Sequence, residues 1–149
     1  FRAPPPGVPS ELLFPLTLAP AGSPDFKKGL EVRDGRIVSE FPLLIHETYP
    51  MAWKQWSKSA GIELPENSKA TRLDSMIAIV RACERGLGAA LVPVPLADLW
   101  FKYGSIVRLF SQQLVTEASY YLVVREDRAR DPAVSLLKDW ILRNFRESV

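Results

Sequence analysis

Between Thr71 and Pro93 the chain reads TRLDSMIAIVRACERGLGAALVP, and its apolar positions change period twice. They alternate over residues 71–73. They then recur at spacings of three and four at Met76, Ile79, Val80, Cys83 and Leu87, and run unbroken through Ala89, Ala90, Leu91 and Val92. Alternation predicts a short strand, the three-and-four spacing an amphipathic helix, and the small apolar run a strand buried on both faces. Asp74 or Ser75 offers a short side-chain oxygen to the unpaired N–H groups of the first helical turn. Gly86 and Gly88 suit a left-handed helix end. The unit predicted is β-α-β, with a right-handed crossover and a parallel pair in one sheet.

The rest of the chain fills in around this unit. Residues 1–2 read as the end of a strand, and the APPPGVPS that follows as a stiff loop. Residues 11–18 pattern as a strand that Pro15 confines to an edge or a bend, and residues 19–24 as turn. Residues 25–39 are expected to form a short helix and an exposed loop, since they have no long apolar face. Residues 41–46 are a second apolar strand, ended by Glu47 and Thr48. Residues 49–60 follow as a helix carrying Met51, Ala52, Trp53, Trp56 and Ala60, which Gly61 stops. After a loop over residues 62–69 and the central unit come a short helix (96–103) broken at Gly104, a strand (106–110) and the strongest β run of the chain (118–125). Asp131-Pro132 opens the last helix, with Val134, Leu137, Ile141 and Phe145 as its expected buried face and Trp140 alongside. Strands alternating with helices predict an α/β fold with a mostly parallel sheet.

Composition narrows the function classes. A chain of 149 residues fits one domain, and 47% hydrophobic with 24% charged residues is ordinary for a folded protein. No apolar run is long enough for a transmembrane helix, and the N-terminus lacks a signal-peptide core, so no membrane partner is expected and a cytoplasmic setting is the default. A net charge of +2, with Lys and Arg scattered along the chain, predicts no nucleic-acid contact from this chain itself.

Catalytic groups are scarce. His46 is the only histidine and no GxSxG elbow is present. Cys83, the only cysteine, falls mid-helix on the apolar stripe, a poor place for a reactive thiolate. A zinc site would need carboxylates for most of its ligands, so neither a metal nor another cofactor is expected. His46 and Glu47 stand at the carboxyl end of a strand, where ligands enter open α/β sheets, and read as ligand contacts or as solvated loop residues. The helix start at Leu73, Asp74 and Ser75 could hold an anionic or polar ligand group, or only water. Trp53, Trp56, Trp100 and Trp140 read as packing residues rather than a stacking surface.

The order of segments PLLIHETYPMAWKQWSKSAG, RLDSMIAIVRACERGLGAALVPVPLADLWFKYGSIVRLF, SYYLVVRE and DPAVSLLKDWILRNF resembles the C-terminal part of a LysR-type transcriptional regulator. The subgroup it resembles contains the glycine-cleavage activator and the β-lactamase regulator. Trp53 and Trp56 match the W-x-x-W helix before the Ala60-Gly61 stop, residues 85–89 the glycine-centred turn, Trp140 the closing helix, and residues 12–15 the strand leading to the hinge. The likeness runs from Phe1 to Phe145.

This resemblance implies an effector-sensing domain with a type 2 periplasmic-binding-protein-like fold, in which two α/β lobes hold a small molecule in their cleft. Residues 1–24 and 114–149 would belong to the first lobe and its hinge strands, and residues 25–113 to the second. Effector-contacting positions carry over to Leu16, Thr17 and Leu18 at the hinge, His46 and Glu47 at a strand end, Asp74 and Ser75 at the helix start, and Val92 and Pro93 at a second strand end. The implied partners are a small-molecule effector, further copies of the same protein as a homodimer or homotetramer, and promoter DNA through a winged helix-turn-helix that is not in this chain. The family's linker helix and the opening of its first lobe would also precede Phe1, so the chain is expected to be truncated on its N-terminal side, with an edge left unpaired at residues 11–16 and 118–125. The segment after Pro15 runs one residue longer than the family hinge, which displaces Thr17, and Asp74 would repel a bare carboxylate. Two other classes are open: a transport solute-binding protein of the same fold, and an α/β enzyme using His46 and Glu47.

Overall fold

The computed structural model describes residues 3–4 and 6–146. The strand end expected at Phe1-Arg2 lies outside them. The elements in order are β1 (Ser10–Gly22), α1 (Pro24–Lys28), β2 (Val32–Arg33), β3 (Arg36–Ile37), β4 (Leu43–His46), α2 (Ala52–Ala60), β5 (Ala70–Leu73), α3 (Met76–Glu84), β6 (Ala89–Val94), α4 (Asp98–Lys102), β7 (Val107–Arg108), β8 (Leu114–Val123), a 3-10 turn (Glu126–Arg128) and α5 (Pro132–Arg146). Contacts divide the chain into two compact units, residues 17–114 and residues 1–16 with 115–149. Residues 17–24 therefore pack with the larger unit.

In the larger unit the strand order is β5-β4-β6-β1-β7. β4 runs parallel to both β5 and β6, while β1 runs antiparallel to β6 and β7. The sheet is thus mixed, not mostly parallel, and the two strands of the expected β-α-β unit are separated by β4. β6 is buried along almost its whole length, as its small apolar residues require. Residues 19–22, expected as turn, continue β1, because Ala19, Pro20 and Ala21 pair with Val92, Leu91 and Ala90 and are closed off from water.

One core cluster joins Leu44, Ala90 and Val92 of the sheet to Ile79, Val80 and Cys83 of α3. Leu87 was expected on that stripe but is exposed, since α3 ends at Glu84 and Gly86, at φ +73°, turns the chain away before it. Gly88 serves a purpose other than a left-handed turn. A Cβ there would lie 2.7 Å from the Pro42 carbonyl oxygen, and its absence lets the Ala89 N–H donate to that oxygen at 2.8 Å. A second cluster is aromatic. Phe41 meets Trp53 edge-on at 5.5 Å, Trp53 meets Trp56 at 5.5 Å, and Trp56 packs on Phe110 at 5.0 Å. Both indoles also find acceptors, Trp53 Nε1 on Leu44 O at 3.2 Å and Trp56 Nε1 on Gln112 O at 2.9 Å, as burial demands.

The exposed loop expected within residues 25–39 contains a hairpin, β2 and β3, turned by Asp34-Gly35 with φ of 49° and 74°. Positive φ at both central residues is what a two-residue hairpin needs, and Asp-Gly is the pair that tolerates it. The hairpin is pinned by Ile37 N–H donating to Glu63 O (3.0 Å) and Glu63 N–H to Gly35 O (2.8 Å).

In the smaller unit, Phe14 of β1 packs on Tyr120 of β8 at 4.9 Å and on Phe145 of α5 at 5.6 Å. Thr116 Oγ1 donates to Leu16 O at 2.9 Å, and Lys138 pairs with Glu11. These contacts turn Val134, Lys138, Ile141 and Phe145 inward. Leu137, expected on the buried face, falls just off that line and is more than half exposed, as are Leu136 and Trp140.

Gly88→Ala is expected to lower unfolding free energy by about 2–3 kcal/mol, because main chain on two strands must separate. Gly61→Ala, at φ +66° with open space around it, should cost only about 1 kcal/mol. Urea denaturation midpoints of the two variants check the order.

Candidate functional site

The pairing of β4 with β5 and β6 brings three strands to their carboxyl ends on one edge of the larger unit. His46 is the register partner of Leu73, and the Glu47 N–H donates to Leu73 O at 3.0 Å. Asp74 and Ser75 follow directly, and α3 begins at Met76. Antiparallel β1 starts its pairing with β6 on the same edge, with Thr17 opposite Val94 and Leu18 opposite Pro93. The topology therefore collects Thr17, His46, Glu47, Asp74, Ser75 and Pro93 from separate parts of the sequence. Leu16 is assigned to the smaller unit.

These residues differ in what they can offer. Leu16, Leu18, Val92 and Pro93 are buried, so only their main chain remains for contact with a ligand. Thr17, His46 and Ser75 are half-buried, and Glu47 and Asp74 are exposed. Ser75 is the N-cap of α3, with extended backbone (φ −121°, ψ 127°) and its Oγ 3.5 Å from the Ala78 N–H. That bond is at the long limit, so the cap leaves the helix start able to donate elsewhere. His46 is tied down by its own turn. Its Nδ1 accepts the Thr48 N–H at 3.1 Å, the Tyr49 N–H donates to His46 O at 2.9 Å, and the Tyr49 ring stands 6.2 Å away. Nothing in residue type or spacing announces the Thr48 contribution, since the donor is main chain.

Surface clefts occur elsewhere among the described residues. One of ≈ 530 Å³ sits at the amino edge of the same sheet, lined by Phe41, Pro42, Pro65, Ser68 and Lys69 among others, and none of the expected site residues lines it. Cys83 is fully buried, and burial pushes its thiol up to about 12, so no thiolate nucleophile is present at neutral pH. Among the described residues no group of three or more His, Cys, Asp or Glu side chains is placed to hold a metal ion. Trp53 and Trp56 are spent on the aromatic core.

Residues 1–146 match the family described as LysR substrate binding domain. The HTH-type transcriptional activator AmpR of Enterobacter cloacae is 27% identical over 143 residues, covering 95% of this chain and 47% of that protein. AmpR of Pseudomonas aeruginosa is 30% identical over 93 residues, covering 60% of this chain and 30% of that protein. The chain thus spans about half, or less, of the curated relatives it matches. Among solved structures, the AmpR effector binding domain from Citrobacter freundii superposes with a TM-score of 0.74 at 20% identity, covering 94% of this chain and 68% of that one. Full-length LysG from Corynebacterium glutamicum with bound effector Arg superposes with a TM-score of 0.65 at 19% identity, covering 99% and 49%. At such identities the structural likeness speaks for the fold.

The buried thiol has a measurable pH signature. The unfolded chain releases its proton near about pH 8.5, whereas the folded chain holds it to about 12. The contribution to stability is therefore complete below that lower value and declines as pH rises toward the upper one, by at most ~1.4 kcal/mol per pH unit. In urea titrations from about pH 8 to about pH 10, the stability gap between the parent chain and Cys83→Ala should narrow steadily. A gap independent of pH would mean the thiol is reached by water.

Proposed function

Because the chain belongs to the LysR substrate-binding-domain family, we propose that it is the effector-sensing part of a DNA-binding transcription regulator and not an enzyme. The family match over residues 1–146 is the observation that carries this reading. The effector site we propose is the carboxyl edge of the larger unit: Thr17, the His46-Glu47 turn, Asp74-Ser75 at the start of α3, and the main chain at Val92-Pro93. The positive end of α3 and the Ser75 hydroxyl suit a polar group of the ligand. Two carboxylates, Glu47 and Asp74, on the same edge disfavour a ligand that brings only negative charge and favour one carrying a cationic group as well.

Support for a non-catalytic role comes from the same groups. The one histidine spends a ring nitrogen on its own turn, and the one cysteine is buried with its thiol proton held. A net charge of +2 leaves promoter contact to a winged helix-turn-helix outside this chain, acting in the cytoplasm where the promoter is, within a homo-oligomer. The effector acts by binding one conformation of the regulator more tightly than another, since equal affinity would shift nothing. The transport reading draws no support from the relatives, which are transcriptional activators.

The test is a thermal-shift screen of amino acids, aromatic acids and cell-wall fragments against the intact regulator, followed by titration calorimetry. For a ligand so found, Ser75→Ala should weaken binding about tenfold, equivalent to ~1.4 kcal/mol, while lowering stability by no more than about 1 kcal/mol. A ligand whose affinity is indifferent to Ser75→Ala, Thr17→Val and Glu47→Gln alike would place the site elsewhere.

A further inference from the structure

We propose that the turn joining β4 to α2 is a proton-operated latch in which His46 is the titrating group and the Thr48 amide its catch. Its proposed effect on an effector rests on the site reading above, but the latch itself does not. The Nδ1 of His46 accepts the Thr48 N–H at 3.1 Å, which a nitrogen can do only with its lone pair free. The neutral ring must then carry its proton on Nε2. The geometry is that of an Asx-turn, in which the side chain of one residue takes the N–H two residues on, with imidazole standing in for the usual amide or carboxylate oxygen. Histidine is the side chain of this kind that ordinarily changes charge at moderately acidic pH.

Protonation makes both ring nitrogens donors. Nδ1–H then confronts the Thr48 N–H, donor against donor, and the contact must open. The consequences are local and specific. Tyr49 N–H bonds the His46 carbonyl, Ala52 N–H bonds the Tyr49 carbonyl at 3.1 Å, and Glu47 N–H bonds Leu73 O, so the turn links the strand end, the start of α2 and the neighbouring strand. Opening it frees the Thr48 peptide that follows Glu47, beside Asp74 and Ser75, which are fixed by β5 and α3.

The charged groups on the elements next to the turn are Glu47 on the turn itself, Arg72 on β5, Asp74 just beyond β5 and Lys54 on α2. Arg81 and Glu84 of α3 pair with each other at 2.9 Å, the Tyr49 ring stands 6.2 Å from the imidazole, and β6 offers only apolar residues.

The chain has a single histidine, so labelling that residue type with 15N yields one unambiguous pair of ring signals. At about pH 8 the latch requires the shift pattern of an unprotonated Nδ1 and a protonated Nε2. On acidification to about pH 5, the Thr48 amide resonance should lose its hydrogen-bonded shift, and its hydrogen exchange should quicken about tenfold beyond the intrinsic pH effect, at the same midpoint as the ring nitrogens. His46→Asn supplies an Asx-turn oxygen that does not titrate. It should keep the Thr48 amide bonded across the range and abolish the transition. An Nδ1-protonated tautomer at high pH overturns the proposal, as does a Thr48 amide that stays put while the ring titrates, or one that titrates unchanged in His46→Asn. None of these readouts needs an effector, so their failure leaves the site reading standing, and a failed effector screen leaves the latch standing.

Discussion

A strand of small apolar residues can be buried on both faces only if its main-chain donors and acceptors are taken by neighbours on either side. Strand β6 imposes that condition here. β4 and β1 meet it, one parallel and the other antiparallel, and the remaining strands attach outside them. Gly88, held against the Pro42 carbonyl, is where the approach is tightest, and a larger residue there would push β4 and β6 apart.

The candidate site follows from the same condition. Because β4, β5 and β6 all run one way, their last residues and the start of α3 reach a single edge, and antiparallel β1 brings Thr17 to it. The strands supply main chain there and bury their leucines and valines in the core. The polar side chains come from His46, the last residue of β4, and from Glu47, Asp74 and Ser75, which follow directly after β4 and β5. An edge of this kind can change its hydrogen-bonding residues without touching the packing beneath.

The two core clusters divide the work of stabilisation. Aliphatic side chains of α3 lock onto the sheet, and the aromatic set built on Phe41, Trp53, Trp56 and Phe110 anchors α2. Trp53 donates to Leu44 O, inside the strand that ends at His46. The turn carrying His46 and Glu47 is thus held at both ends.

Much was legible in residue order alone. The stripe of Met76, Ile79, Val80 and Cys83, the serine before it and the doubly buried run after it depend on local periodicity and capping, and the structure has each in place. The family likeness, shown over residues 1–146, was likewise legible in the order of the segments. Local pattern could not say that β4 would slip between β5 and β6, or that residues 19–22 would stay extended, because strand pairing is a choice among distant partners. Nor could it show that Leu87 and Leu137 would stay outside, since a helix's exact end and roll are decided by what it packs against. The Asp34-Gly35 pair carries a turn signal within a segment read only as helix and exposed loop, and the hairpin is pinned by main-chain bonds to Glu63, far along the chain. Sequence by itself determined which residues could cap, turn or pack. Tertiary structure alone decided which of the polar ones would meet at one edge, because that depends on the direction in which strands far apart in the chain are laid side by side.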